Sequence, residues 1–170
     1  MMRLAGAVLV TAGCGALGLA GTARLDGRVR DLGELAAGLG ALQRELGWRL
    51  APLPDGLETA ARAARGPAGQ FFSQCARGAA LPDGRAFQEV WREGLETAPL
   101  RLKPEDRRLL ERLGPVLGRY DGDSQRRALE DAAEGLRALQ GAAADDRRRL
   151  GRVYGVLGVA AGLLLTIVLL

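Results

Sequence analysis

The sequence predicts an all-α protein, a helical bundle of about six helices flanked by an N-terminal and a C-terminal transmembrane helix. Three observations carry this reading. Apolar residues recur at helical spacing through the middle of the chain, where Leu25, Leu32, Leu39 and Leu46 stand seven apart. No stretch alternates apolar and polar residues with the period of two that a half-buried strand requires. Uncharged runs stand at both ends, one from Leu4 to Ala23 and one of 18 residues from Val153 to Leu170. The second run spans about 27 Å as a helix, close to the hydrocarbon thickness of a bilayer. The expected division is an anchor over residues 1–24, a soluble helical domain over 25–152 and a second anchor over 153–170.

The first anchor has rivals. A charged start, a short apolar run and small residues near Gly21-Thr22-Ala23 also describe a cleavable signal peptide. Thr11-Ala12-Gly13-Cys14 faintly resembles a lipoprotein processing site, without the leucine such a site wants. A cleaved signal would make the chain a secreted or lipid-anchored helical interaction protein. Small residues recur four apart at Ala12, Ala16 and Ala20, and again at Gly151/Gly155 and Gly158/Gly162. Such spacings let helices approach closely in lipid, although Ala and Gly are common throughout the chain. Arginines set the orientation. Arg24, Arg28 and Arg30 follow the first run, and Arg147, Arg148, Arg149 and Arg152 precede the second. The positive-inside rule then places the middle domain in the cytoplasm.

The elements follow in order. The heptad-spaced leucines, with Val29, Leu35, Ala36 and Leu42 on the same side, predict a helix from Leu25 that continues out of the first anchor. Glycines at 27, 33, 38 and 40 each weaken its propensity by up to about 1 kcal/mol against alanine. Pro52 and Pro54 end it just beyond Trp48. A short helix is expected from Asp55 to about Ala64, with Leu57, Ala60, Ala61 and Ala64 inward and Gly66-Pro67 as its breaker. The next runs from about Ala68 to Ala79 on an apolar face of Phe71, Phe72, Cys75 and Ala79. After a turn at Leu81-Pro82-Asp83-Gly84, a fourth spans Arg85 to Thr97 and buries Phe87, Val90, Trp91, Gly94 and Leu95. Pro104 suits the first turn of a fifth, which presents Leu109, Leu110, Leu113, Val116 and Leu117 and is kinked or broken by Pro115. From Ser124 a last helix, with Leu129, Ala132, Ala133 and Leu136 inward, runs without a breaker into the second apolar run.

Composition excludes several chemistries. There is no histidine, so His-dependent triads and His-ligated metals are ruled out. Cys14 and Cys75 suggest no disulfide framework or zinc site and read as small apolar packing residues. The pI of 9.8 comes with 23 arginines and one lysine. From Arg24 to Arg152, however, 23 basic residues face all 20 acidic ones, so no basic stripe for nucleic acid emerges. The acidic pairs Glu105/Asp106, Asp121/Asp123, Glu130/Asp131 and Asp145/Asp146 read as helix caps and solvated faces. Gly38-Leu39-Gly40 lies within a helical stripe and is no phosphate cradle, and no Gly-Lys-Ser/Thr is present for a nucleotide motor. Trp48 and Trp91 read as core aromatics, with Trp48, beside the proline break, also a candidate exposed contact. The chain therefore predicts no enzyme, no cofactor and no small-molecule substrate.

Glu45-Leu46-Gly47-Trp48 followed by Ala51-Pro52-Leu53-Pro54-Asp55 resembles the stage III sporulation protein AB family, which tends to read Glu-Ile-x-Tyr and then Thr-Pro-Leu-Pro-Glu. Trp91 four residues before Leu95, Leu113-Gly114 with Leu117-Gly118, and Asp121 followed by Gln125 fit as well. Ala51 and Trp48 depart from the family's usual threonine and tyrosine. The resemblance implies a non-enzymatic part of the transenvelope complex between mother cell and forespore, held in the mother-cell-derived membrane. Its domain is similar to the cytoplasmic domains of type II secretion F and type IV pilus platform proteins. By that analogy it docks a cytosolic secretion-type ATPase and touches the other members of the sporulation channel complex. The expected contact is the loop from Arg49 to Asp55, with Trp48, Pro52, Leu53, Pro54 and Asp55 as its contact residues, because a proline-fixed loop loses little entropy on binding. The corner from Tyr120 to Ser124, with Tyr120 and Asp121 as its contact residues, is the second candidate.

Overall fold

A computed structural model describes residues 2–81, 84–117 and 122–169, and for 2–24, 150–159 and 161–169 the helical backbone alone. Every regular element among the described residues is an α-helix. They are α1 (Met2–Trp48), α2 (Leu53–Ala63), α3 (Gly66–Ala80), α4 (Phe87–Thr97), α5 (Pro104–Glu111), α6 (Gly114–Leu117) and α7 (Gly122–Leu169). The chain divides into two compact units, Met1–Gly27 with Ala142–Leu170, and Arg28–Gly141.

The first unit is built from the opening turns of α1 and the closing turns of α7, joined by an ion pair between Asp26 and Arg147. The anchors expected at Leu4–Ala23 and Val153–Leu170, and the small-residue series within them, fall on residues whose side chains lie outside the described set. Among the described residues no helix is long and apolar enough to cross a membrane.

The second unit holds the main core. Leu32, Leu35, Leu39 and Leu42 of α1 are fully buried, the middle of the stripe that the heptad spacing predicts, whereas Leu25, Val29 and Leu46 are half-buried. α2 packs on α3, α3 on α4, and α4 on α5 and α6. At the centre, the rings of Phe71 and Trp91 meet edge to face at 4.7 Å, with Phe72 and Phe87 completing the cluster. The Trp91 indole N–H donates to the Leu110 carbonyl at 2.8 Å, which satisfies its one polar atom inside the core. A Cβ on Gly114 would lie 3.2 Å from Trp91 Cδ1, and Gln125 Nε2 donates to the Leu117 carbonyl at 3.1 Å. Trp91, Gly114, Leu117 and Gln125, four of the residues that carry the family resemblance, are thus packing and capping residues.

The helix boundaries shift where proline was read only as a breaker. α2 starts at Leu53, two residues before the expected Asp55, because Pro54 fits a first turn in which its missing N–H needs no partner. α3 likewise starts at Gly66, with Pro67 in its first turn. The α2–α3 corner depends on glycine twice. Gly66 has φ of 58°, and a Cβ on Gly69 would stand 2.6 Å from the Ala64 carbonyl oxygen. Pro115 breaks the fifth predicted helix outright into α5 and α6.

Two buried polar residues of α1 hold the α4–α5 connection. Arg28 grips Asp106 with two parallel bonds, Nε to Oδ2 at 2.8 Å and Nη2 to Oδ1 at 2.7 Å. Asp106 Oδ2 also accepts the Lys103 N–H at 2.8 Å, capping the start of α5. One turn along α1, Asp31 accepts the Arg101 N–H at 2.9 Å. Asp106 is therefore a cap, as its pairing with Glu105 suggests, but its side chain is 0% exposed and belongs to no solvated face.

Candidate functional site

Large apolar side chains left in water mark the site. Trp48 is 86% exposed and Leu50 83% exposed, and Leu81 stands out at the end of α3. The structure thereby corrects the reading of Trp48 as a core aromatic and leaves the exposed-contact reading.

The local sequence explains the exposure. α1 ends at Trp48, and Leu50 turns the chain through a left-handed conformation, φ 50°, the one described non-glycine residue with positive φ. For a residue with a Cβ that backbone costs about 1–2 kcal/mol. Ala51 closes the turn by donating its N–H to the Glu45 carbonyl at 3.1 Å. Pro52 and Pro54 then fix φ on either side of Leu53 as α2 begins. A proline-stiffened, strained turn thus holds two apolar side chains outward.

Beside the turn lies a groove of about 480 Å³. Leu46 and Leu50 of the α1 end, Pro52 to Pro54, Leu81 and Phe87 give it an apolar lining, with Arg85 and Gln125 as polar members. The Arg126 side chain packs against Gly47, where a Cβ would meet its Cδ at 3.4 Å. Basic groups therefore flank the tip: Arg49 pairs with Glu45 at 3.5 Å, Arg126 with Asp123 at 3.8 Å, and Arg85 with Glu93 at 3.1 Å.

Of the expected contact residues, Pro52, Leu53 and Pro54 line this groove, and Asp55 is exposed in the first turn of α2. Tyr120 and Asp121 lie outside the described residues. The arginines expected to flank the membrane separate. Arg28 is buried against Asp106, so its charge is neutralised within the bundle. Arg147 pairs with Asp26, Arg148 and Arg149 are exposed, and the side chains of Arg24 and Arg152 lie outside the described set. Leu81, Arg85 and Arg126 were not singled out from the sequence, and Leu50 only as part of the expected Arg49 to Asp55 loop. Only Leu50 left a trace there, as an apolar residue stranded between a helix end and a proline.

Among the described residues no group of Cys, Asp and Glu is placed to hold a metal ion. Cys75 is buried beside Gly94, where a Cβ would come within 3.0 Å of its Sγ, and burial pushes its thiol up to about 12. Such a thiol is a packing group, protonated throughout the physiological range.

The arrangement is an outward apolar knob beside a groove, with arginine–carboxylate pairs around it. No curated protein matches the chain. A solved structure titled "Stage III sporulation protein AB (SpoIIIAB)" shares the fold, with a TM-score of 0.63 at 23% identity over 72% of this chain and 98% of that one. The family model for stage III sporulation protein AB matches residues 3–170, and the chain belongs to that family.

Proposed function

We propose that this sporulation protein is a non-enzymatic platform of the secretion-like complex between mother cell and forespore. Its apolar ends are two membrane anchors in the mother-cell-derived membrane around the forespore. The helical domain lies on the cytoplasmic side, where it docks a cytosolic secretion-type ATPase and meets the other channel components.

Family membership supports the sporulation role. The observation that carries the platform role is the outward-held Trp48 and Leu50 beside the groove. Exposed tryptophan is unfavourable in an isolated domain and is a residue type enriched where interfaces form. The uncharged runs at both ends and the arginines beside them support the anchors and the cytoplasmic orientation. The domain has no nucleotide motif of its own, which fits a component that receives work from a separate motor.

Protease accessibility tests the topology. Arg65 is exposed in the α2–α3 corner, and trypsin should cut there in inverted membrane vesicles but not in right-side-out ones. Cutting only in right-side-out vesicles would put the domain between the membranes, beyond reach of a cytosolic motor. Intact mass settles the fate of the first apolar run: a retained Met1 or Met2 keeps the anchor, and a diacylglycerol on Cys14 replaces it with a lipid. For the docking surface, Trp48→Ala with Leu50→Ala should abolish capture of the co-expressed ATPase while leaving the helical content unchanged.

A further inference from the structure

Between α2 and α3 lies a shallow depression of about 350 Å³ that shares no lining residue with the groove. Ala61 and Arg62 of α2 line it, with Gly69, Gln70, Ser73 and Arg77 of α3. Its floor is made of small residues because the two helices approach closely there. A Cβ on Gly69 would stand 2.6 Å from the Ala64 carbonyl oxygen and 3.1 Å from that of Ala61. Gln70, Ser73 and Arg77 follow at intervals of three and four, so they share one side of α3. Each helix thus contributes one arginine to the depression, and no large apolar side chain fills the space beside them.

The charge of this hairpin is unbalanced. From Glu58 to Ala80 it holds Arg62, Arg65 and Arg77 against Glu58 alone. Glu34 of α1 also reaches the corner, where it accepts the Arg65 backbone N–H at 2.7 Å. With it counted, three arginines stand against two carboxylates. α3 has no acidic residue in its first turn and no side-chain cap, so the partial positive charge of its start adds to that of the arginines. Among the described residues Arg77 has no carboxylate partner. Its Nη1 donates to the Ser73 hydroxyl at 3.2 Å, which leaves most of its five donors unspent. Arg62 donates to Thr59 Oγ1 at 3.0 Å and faces Glu58 at 3.6 Å. Both members of that ion pair are exposed, so an incoming anion displaces Glu58 at small cost.

We propose that this depression binds a phosphate group. A carboxylate has two oxygens, which a single guanidinium fork satisfies. Here two guanidiniums from different helices, a hydroxyl and the Gln70 amide line one space. A tetrahedral group with three or four oxygens takes donors from both helices at once. The lining includes no aromatic ring on which a nucleobase would stack, so the ligand is inorganic phosphate or a simple phosphate ester, in solution or on a lipid head group. The assignment is independent of the platform reading, since neither the tip nor the apolar ends enter it.

Calorimetric titration tests it. The full chain in micelles of a phosphate-free neutral detergent is titrated with inorganic phosphate, glycerol phosphate and acetate at one ionic strength. Both phosphates should saturate, and acetate should bind at least about tenfold more weakly. Arg62→Gln with Arg77→Gln should weaken phosphate binding at least about tenfold. Both arginines are exposed, so the helical content of that variant should equal the wild type's. Ser73→Ala, a milder change, should weaken binding about threefold. Arg112→Gln with Arg127→Gln removes two exposed arginines outside the depression and should leave binding unchanged. Saturation only by micelles doped with phosphatidic acid, lost in the Arg62/Arg77 variant, sustains the site and makes a lipid head group its source. Equal binding of phosphate and acetate, equal losses from the two arginine pairs, or no saturation by any phosphate probe overturns the proposal.

Discussion

The two tryptophans of this chain occupy opposite extremes. Trp91 sits in the aromatic cluster with Phe71 at 4.7 Å, its N–H bonded to Leu110, and is 1% exposed. Trp48, at the end of α1, is 86% exposed. The same residue type thus serves the fold in one region and is withheld from it in the other. A folding chain buries an aromatic ring wherever geometry allows, because burial is worth about 25 cal/mol per Å² of apolar surface. The α1–α2 turn denies Trp48 that burial at the further expense of a left-handed Leu50. Strain and exposure coincide in this one short segment, the observation on which the proposed contact rests.

The largest effect that tests this contrast is truncation of each ring. Trp91→Ala should lower the unfolding free energy by about 3–5 kcal/mol, and Trp48→Ala should stay within about 0.5 kcal/mol of the wild type in denaturant melts. A comparable loss at Trp48 would make the tip a structural element. The Arg28–Asp106 pair gives the next test, because it is as buried as Trp91 but held by charge. Arg28→Ala alone should cost about 3–5 kcal/mol by leaving a buried carboxylate unpaired, whereas Arg28→Met with Asp106→Leu should cost far less. If the double variant is as damaged as the single one, the pair contributes more than the relief of its own desolvation.

A smaller effect sets packing against propensity. In sequence terms Gly38→Ala improves α1 by up to about 1 kcal/mol. In the fold, a Cβ at Gly38 overlaps the Phe72 ring, which is fully buried and cannot retreat. Overpacking of this kind costs about 1–3 kcal/mol, so the melt should show net loss. Cys75 reports the same core through pH. Burial pushes its thiol up to about 12 from the ordinary value of 9.0, so above pH 9 the unfolded chain binds fewer protons than the folded one. Stability contributed by the protonated thiol is complete below pH 9 and falls as pH rises towards 12, by up to about 1.4 kcal/mol per unit. Cys75→Ala should flatten that alkaline slope relative to wild type in melts at a series of pH values.

Most of the bundle was legible because its cues are local. The spacing of Leu32 and Leu39, of Phe71, Phe72 and Cys75, and of Val90, Trp91, Gly94 and Leu95 names the buried faces directly, and all of these are buried. What was hidden depends on which elements meet. Gly38 counts as a helix weakener until Phe72, 34 residues on, is found against it. Arg28 counts as a membrane-flanking charge until Asp106, 78 residues away, is found to bind it. Half of the candidate site was legible too, since Pro52-Leu53-Pro54 marks a rigid loop whatever surrounds it. The groove was not, because Leu81, Phe87 and Gln125 reach it from three other helices or their ends.

The finest test separates strain from contact at Leu50. Its left-handed backbone costs a side-chain-bearing residue about 1–2 kcal/mol. Glycine removes that strain but adds about 0.5–1 kcal/mol of unfolded-state entropy. Because Leu50 is 83% exposed, almost no burial is lost with its side chain. Leu50→Gly should therefore be neutral or raise stability by a few tenths of a kcal/mol, read as a small upward shift of the denaturant midpoint. The same variant should capture less of the co-expressed ATPase, since half of the apolar knob is gone and the turn is loosened. A binding surface maintained against the interest of stability predicts that pair of signs. Loss of stability with unchanged binding would instead mean that Leu50 packs on the fold, and that the strain serves the turn alone.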